Sequence, residues 1–232
     1  DVFTVNTPYL KEELLHLGCP EERLKIIPMG IDTEYFYPLA LDRPQKNSVE
    51  LLSVGRLIPF KGFDLGIKAV SRLVDRGYDI KYSIIGDGEQ KTELIELAKK
   101  LNLENNVVFK GSLNQSDVRG YMQKSDIYLM TSTYDKAGRR ETQGVVVGVA
   151  QSCGLPVCAF RSGGVPYAVS EGETALLAEE KNLDEYCQDL KTLIDDTDLR
   201  SKMAKNARQF ILDHYSLETT TKKFINIYNE LM

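Results

Sequence analysis

The sequence predicts an α/β domain with a doubly wound, Rossmann-like parallel sheet, and three observations carry that prediction. From about residue 48, short β-branched runs alternate with amphipathic helical stretches, which is the pattern of consecutive βαβ units. The runs are compact and apolar, as buried strands are. Several of them end in glycine, as VELLSVG, IKYSIIG and NVVFKG do, which marks a turn at the strand exit.

Each element follows in order. VELLSVG (49–55) reads as the first buried strand of this domain. The next stretch, GFDLGIKAVSRLVDRG, is a helix, because Leu65, Ala69 and Leu73, flanked by Ile67, Val70 and Val74, form a broad apolar stripe. IKYSIIG (80–86) is a strand whose exit, Gly86-Asp87-Gly88, is a turn signal. Leu94, Leu97, Ala98 and Leu101 share one face of a second helix, and NVVFKG (106–111) is the next strand. SDVRGYMQKS is a short helix, and DIYLMT (126–131) another strand. A polar loop, STYDKAGRRETQG, leads into an apolar helix, and LPVCAF (155–160) follows as a strand. SGGVPYAV is a glycine-rich loop and turn, and TALLAEE a short strand. The rest is helical: Leu183, Tyr186, Cys187, Leu190, Leu193 and Ile194 make one stripe, and Ser216 is the N-cap candidate of the final helix.

The first 40 residues stand outside the alternation. DVFTVN has a strand pattern, TPYLKEELLHLG a helical one, and RLKIIPMGIDTEYFYPL is an extended piece with a Tyr/Phe/Pro cluster. A lone strand and helix bury no core of their own. They either pack on the main domain or form the tail of a second one. The chain opens in mid-element, so the expectation is that the body of that second, N-terminal domain is missing. Residues 39–48, with Pro44 and their polar side chains, read as a linker.

Bulk composition narrows the function classes. A formal charge of -5, with no long Lys/Arg run, does not favour nucleic acid. No apolar run approaches the roughly 18 to 20 residues that span a bilayer. Cys19, Cys153, Cys158 and Cys187 are scattered without a CxxC pair, which reads as free thiols in a reducing cytoplasm. With only His16 and His214, a histidine-rich metal site is not expected.

Chemistry-bearing residues gather at the predicted carboxyl ends of the strands, the edge where open parallel sheets bind ligands. Arg56 and Lys61 follow the first strand. A planar fork and a mobile ammonium suit the clamping of a diphosphate, although two solvated surface cations would look the same in sequence. Glu141 lies on the polar loop, three residues ahead of Gly144. Gly144 would let a ligand approach the backbone, and the amides after it, at Val145 and Val146, would open a helix toward phosphate oxygens. Glu141 is suited to sugar hydroxyls or a reacting centre, or else merely offsets the helix dipole. Gly163-Gly164 is either an anion nest or an ordinary turn. Lys136, Arg139 and Arg140 form either a substrate-facing patch or a solvated loop. There is no Walker lysine motif, no GxGxxG and no Ser-His-Asp arrangement.

Taken together, the chain resembles the retaining GT-B glycosyltransferases of family 4, the polysaccharide-assembly type. Ile27-Pro28-Met29-Gly30-Ile31-Asp32 is similar to an interdomain P-x-G-[VI]-D stretch, and Gly55-Arg56 with Lys61-Gly62 to the family's GR…KG clamp. Gly86-Asp87-Gly88, Val108-Phe109-Lys110-Gly111, Gly154-Leu155-Pro156-Val157 and Gly163-Gly164-Val165-Pro166 follow in order. The resemblance implies that residues 39–215 are the nucleotide-sugar donor half of a GT-B fold, its C-terminal domain. Residues 1–38 would be the tail of the acceptor domain plus the interdomain segment, and 216–232 a terminal helix crossing back. It further implies a nucleoside-diphosphate-sugar donor, a glycan or lipid-linked acceptor, no metal or other cofactor, and a cytoplasmic location with peripheral contact at the inner face of the membrane.

Site roles follow from the same resemblance. Glu141, Arg56 and Lys61 are the expected catalytic residues. Donor contacts are expected from Arg56, Lys61, Gly86, Lys110, Thr142, Gly144, Val145, Val146 and Val149. Two positions depart from the family pattern. Val149 stands where a second glutamate would hold the ribose hydroxyls, and Tyr167 where another glutamate would lie. Those departures keep open a non-catalytic nucleotide-sugar-binding module, and a sugar-nucleotide epimerase on the same architecture is a further alternative. The isolated chain is expected to transfer sugar weakly or not at all.

Overall fold

The computed structural model describes residues 1–39 and 48–232, so the expected linker lies almost wholly outside the described residues. The chain opens with a small βαβ unit: β1 (Phe3–Val5), α1 (Pro8–His16) and β2 (Leu24–Ile26). Thr7 caps α1 by accepting the Leu10 N–H at 3.2 Å, and Pro8 fills the first turn, where a missing N–H costs nothing. The expectation of a lone strand is corrected here. Leu24–Ile26 pairs in parallel with β1, from Phe3↔Leu24 to Val5↔Ile26, giving the crossover helix a second strand to return to.

The main domain is a six-stranded parallel sheet. Its strands are β3 (Val49–Val54), β4 (Ile80–Ile85), β5 (Val107–Gly111), β6 (Ile127–Met130), β7 (Val157–Arg161) and β8 (Ala175–Glu179). Between them run α2 (Phe63–Val74), α3 (Lys91–Lys100), α4 (Gln115–Lys124) and α5 (Val145–Ser152), and after them α6 (Leu183–Asp195), α7 (Thr197–His214) and α8 (Leu217–Leu231). The SGGVPYAV stretch contains a 3-10 turn over Val165–Ala168.

Strand side chains alternate between two cores, as a period of two requires. Leu51, Ile84 and Leu129 face one apolar cluster with α2, α3 and α6. Their neighbours Leu52, Ile85 and Met130 face the other, with α5. All six are at most 4% exposed. Each such burial contributes about 1.5–3 kcal/mol, which is why these short runs hold as strands despite their length.

The order β5-β4-β3-β6-β7-β8 reverses its direction of winding between β3 and β6. Reversal leaves a crevice at the carboxyl ends of those two strands. β3 pairs with β4 along its whole length, but with β6 only at Leu51↔Ile127 and Leu52↔Tyr128. Where the ladder stops, the Tyr128 hydroxyl takes over. It donates to the Val54 carbonyl at 3.2 Å and accepts the Val54 N–H at 3.3 Å.

Residues 27–37 are stitched onto this domain. Ile31 bonds to Tyr215 and Leu217 through its own N–H and C=O, at 2.7 and 3.0 Å, and its side chain packs against Gly148 of α5. Arg208 of α7 donates to the carbonyls of Phe36 and Thr33 at 2.9 and 3.1 Å and to the Ser152 carbonyl at 3.0 Å. Arg119 of α4 lies over the Tyr35 ring at 4.4 Å. Ser216 caps α8 by accepting the Thr219 N–H at 3.2 Å. A cleft of about 470 Å³ lies between α8 and the opening unit, lined by Val5, Leu10, Ile27, Met29, Leu217 and Phe224 among others. No helix among the described residues is long and apolar enough to cross a membrane.

Candidate functional site

At the crevice between β3 and β6 the structure brings together two of the expected charges, Lys61 and Glu141. The 3-10 turn Pro59–Lys61 follows β3 and is tied to the end of β6. Thr131 Oγ1 donates to the Lys61 carbonyl at 2.9 Å, and the Thr133 N–H to the Phe60 carbonyl at 2.8 Å. Gly62 closes the turn at φ +62°, and a Cβ there would sit 2.1 Å from the Thr131 carbonyl oxygen, so only glycine fits. This fixed turn carries the Lys61 ammonium to Glu141, and the two side chains form a salt bridge.

Glu141 is delivered by the loop after β6, and that loop is braced from the far side. The Gly164 N–H donates to the Glu141 carbonyl at 2.8 Å. A Cβ on Gly164 would lie 1.8 Å from the Thr142 carbonyl oxygen, and one on Gly163 would lie 2.3 Å from that of Glu141. The glycine pair is therefore a seat for the Glu141–Thr142 backbone; of the two readings the sequence left open, the structure favours the turn, since the Gly164 amide is already used.

Gly144 follows at φ +75° as the N-cap of α5. No side chain among the described residues caps this helix, and the Val147 N–H closes the first turn on the Gly144 C=O at 2.8 Å. The Val145 and Val146 amides are the ones a helix leaves without an internal partner, at the positive end of its dipole. Their side chains are half-buried, as is that of Val149 one turn on. Val146 and Val149 pack on the same apolar cluster as Val54, Leu113 and Val118.

Arg56 is exposed on the rim beyond β3. It borders a depression of about 230 Å³ lined by Val54, Gly55, Gly86, Ser112, Leu113 and Val118 among others. Gly86, at φ +142°, shapes that wall: a Cβ would be 1.8 Å from the Gly55 carbonyl oxygen. Lys110 lies 5.5 Å above the Tyr121 ring rather than among the residues lining the depression. Thr142 is exposed, and its carbonyl accepts the Thr7 hydroxyl at 2.8 Å.

The loop cations are engaged nearby. Arg139 pairs with Asp135 at 2.7 Å, and Arg140 approaches Glu180 at 3.5 Å. Tyr167 is 39% exposed, and its carbonyl accepts the Tyr215 hydroxyl. Beneath the crevice, burial pushes the Tyr128 phenol far up, against the opposing pull of its bond to Val54. The floor is therefore a neutral hydrogen-bonding group, and the rim supplies the charge.

Two contributors were invisible to sequence reasoning. Gln143, 3% exposed, pairs its amide with both backbone groups of Met29, accepting at 2.8 Å and donating at 3.1 Å. Thr7 could be read as a helix cap from Thr-Pro, but nothing in the sequence connects it to Thr142. Chemically, the carboxyl edge of the sheet offers an exposed guanidinium at Arg56, an ammonium held by a carboxylate, and the first amides of a helix that no side chain among the described residues caps. Such a set can neutralise a diphosphate and present one carboxylate beside it. Among the described residues, no group of three or more His, Cys, Asp or Glu is arranged to hold a metal ion.

Comparison with known proteins matches the chain to one family. The model of "Glycosyl transferases group 1" matches residues 42–210. The chain is 30% identical to the D-inositol 3-phosphate glycosyltransferase of Corynebacterium glutamicum, covering 99% of this chain and 57% of that protein. It is 27% identical to a GDP-mannose-dependent phosphatidylinositol monomannoside mannosyltransferase of Mycolicibacterium smegmatis, over 94% of this chain and 59% of the relative. The crystal structure of Anabaena HepE in complex with UDP and glucose superposes with a TM-score of 0.87 at 23% identity, covering 99% of this chain and 63% of that one. The chain thus spans a little over half the length of these curated relatives.

Proposed function

The chain belongs to the glycosyl transferases group 1 family, and from that premise we propose that it is the donor-binding half of a retaining, family 4-type GT-B glycosyltransferase. The donor is a nucleoside-diphosphate sugar, and the acceptor a glycan or a lipid-linked carrier at the inner face of the membrane. Residues 39–215 form the donor domain, residues 1–38 the tail of the acceptor domain with the interdomain segment, and 216–232 the helix returning to it. The observation that carries this reading is the Lys61–Glu141 salt bridge between the loops that follow β3 and β6, with Glu141 just ahead of the N-terminus of α5, which no side chain among the described residues caps.

The roles follow from charge. As the bond between sugar and diphosphate breaks, negative charge grows on the departing phosphate. Arg56, Lys61 and the Val145 and Val146 amides are preorganised to meet it without a metal. Glu141 faces the sugar side, because a carboxylate repels phosphate and accepts from hydroxyls. Gly86 and the depression beside Arg56 leave room for the nucleoside. The ligands named for HepE and for the mycolicibacterial relative, UDP with glucose and GDP-mannose, support a sugar nucleotide as the class.

A second reading, a nucleotide-sugar-binding module without transfer, is favoured by Val149. Half-buried on an apolar cluster, it offers no acceptor to ribose hydroxyls. Loss of such charge-assisted bonds costs about 1.5–3 kcal/mol each, or ten- to a hundredfold in affinity. Calorimetric titration with UDP, GDP and ADP tests the donor site directly. At least one is expected to bind with a dissociation constant below about 1 mM, and silence from all three at millimolar concentration would overturn both readings.

A further inference from the structure

Glu141, Thr142 and Gln143 lead into α5, and each is held by a different element. The Glu141 carbonyl is held by Gly164, behind β7, at 2.8 Å. The Thr142 carbonyl accepts the hydroxyl of Thr7, at the head of α1, at 2.8 Å. Gln143 reaches Met29, just past β2, where its Oε1 accepts the backbone N–H at 2.8 Å and its Nε2 donates to the backbone C=O at 3.1 Å.

One of these three attachments therefore comes from the opening βαβ unit, and one from the segment that leaves it. Thr7 and Gln143 are 2% and 3% exposed, so water does not compete freely for their bonds. The Gln143 amide copies a peptide group, using both its donor and its acceptor on one residue. Leucine has neither group, and glutamate would set a carboxylate against the Met29 carbonyl. Thr7 is likewise bifunctional: its oxygen accepts the Leu10 N–H while its hydrogen goes to Thr142.

We propose that Thr7 and Gln143 are positioning residues that register Glu141 against the N-terminal βαβ unit and the segment leaving it, so that the placement of that stretch of chain sets the sugar-facing carboxylate. This rests on the donor reading above, in which Glu141 contacts the sugar and Arg56 and Lys61 the diphosphate. Arg56 and Lys61 sit on the separate β3–α2 loop, and α5 is anchored independently by its buried residues Val147 and Ala150. Releasing the Glu141 loop should therefore harm recognition of the sugar more than that of the diphosphate.

The test compares UDP with UDP-glucose, and GDP with GDP-mannose, by calorimetry on the 232-residue chain and on Thr7→Val, Thr7→Ser and Gln143→Leu. Gln143→Leu and Thr7→Val are expected to weaken the sugar nucleotide about tenfold, and the bare diphosphate less than about threefold. Thr7→Ser keeps the hydroxyl and is expected to restore the original ratio. Gln143→Leu leaves the α1 cap intact, which separates positioning from capping.

Amide hydrogen exchange provides a readout without ligand. Both disruptive variants are expected to raise exchange across residues 141–146, and Gln143→Leu also at residues 29–31, with the β3 and β4 amides unchanged. Equal losses for diphosphate and sugar nucleotide, or unchanged affinities, would overturn the proposal. If the unsubstituted chain bound no nucleotide, the donor reading would fall. Unchanged exchange at 141–146 in both variants would then overturn the registration itself, and raised exchange would support it.

Discussion

Lys61 and Glu141, 80 positions apart in the chain, form a salt bridge at the crevice, with 15% of each side chain exposed. If Lys61 meets the donor diphosphate as proposed, one ammonium is shared between a carboxylate and the arriving phosphate. The two residues are expected to act against each other when the ligand is a bare diphosphate, and together when it carries a sugar.

Lys61→Met would leave Glu141 partly buried without its counter-ion and remove the cation expected to meet the phosphates. Affinity for a nucleoside diphosphate is expected to fall ten- to a hundredfold, the effect of losing one charge-assisted bond. Glu141→Gln releases Lys61, so diphosphate affinity is expected to hold or to rise a few-fold, while the sugar nucleotide loses its advantage. Calorimetry on both variants with both ligand classes decides, and parallel losses for the bare diphosphate would refute the sharing.

Gly164 has an ordinary backbone conformation, φ -83°, so its constraint is purely steric. In Gly164→Ala the new methyl would meet the Thr142 carbonyl and, at 2.9 Å, the Gln143 nitrogen. Overpacking of this kind is expected to cost about 1–3 kcal/mol in urea unfolding and to weaken sugar-nucleotide binding. Gly172→Ala is the contrast: a Cβ there meets nothing within 4 Å, and only φ +76° resists it. It is expected to cost about 1–2 kcal/mol and to leave binding unchanged.

Burial, followed by the charges of Glu185 and Glu171, pushes the Asp189 carboxyl up from 3.8 to about 6. Between those values the folded chain holds more protons than the unfolded one, so stability falls as pH rises through that window. Above about pH 6 the full penalty applies. Asp189→Asn removes it, and at pH 8 is expected to raise unfolding free energy by about 1 kcal/mol, after discounting for solvent screening. That gain is expected to vanish near pH 4, which urea midpoints at pH 4, 6 and 8 will measure.

Local pattern carried much of the fold. Leu51 and Leu52, Ile84 and Ile85, and Leu129 and Met130 alternate between two cores, and that alternation is written in consecutive residues. The caps Thr7 and Ser216 obey rules that span only a few positions. What was not legible depends on partners far away in sequence. The second strand of the opening unit is three residues long and takes its identity from pairing with Phe3–Val5. Gly163-Gly164 reads as a generic loop until Thr142 is placed against it. Gln143 has the composition of any loop glutamine, and its role exists only once Met29 arrives 114 positions away. Arg56 and Glu141 were readable as rim residues because strand ends set their position, whereas the Lys61–Glu141 bond needs actual coordinates.

The bonds to the Glu141 loop also imply an order of events during folding. Thr7 meets Thr142 across 135 positions, and Gln143 meets Met29 across 114, so neither forms until distant stretches of chain have been brought together. Closing such separations is slow, since the entropy of the intervening chain is lost before any contact compensates for it. The sheet ladders, each between nearer strands, need not wait. The rim beside Arg56 would thus be built early, and the Glu141 carboxylate would find its place last, at the moment the opening unit docks.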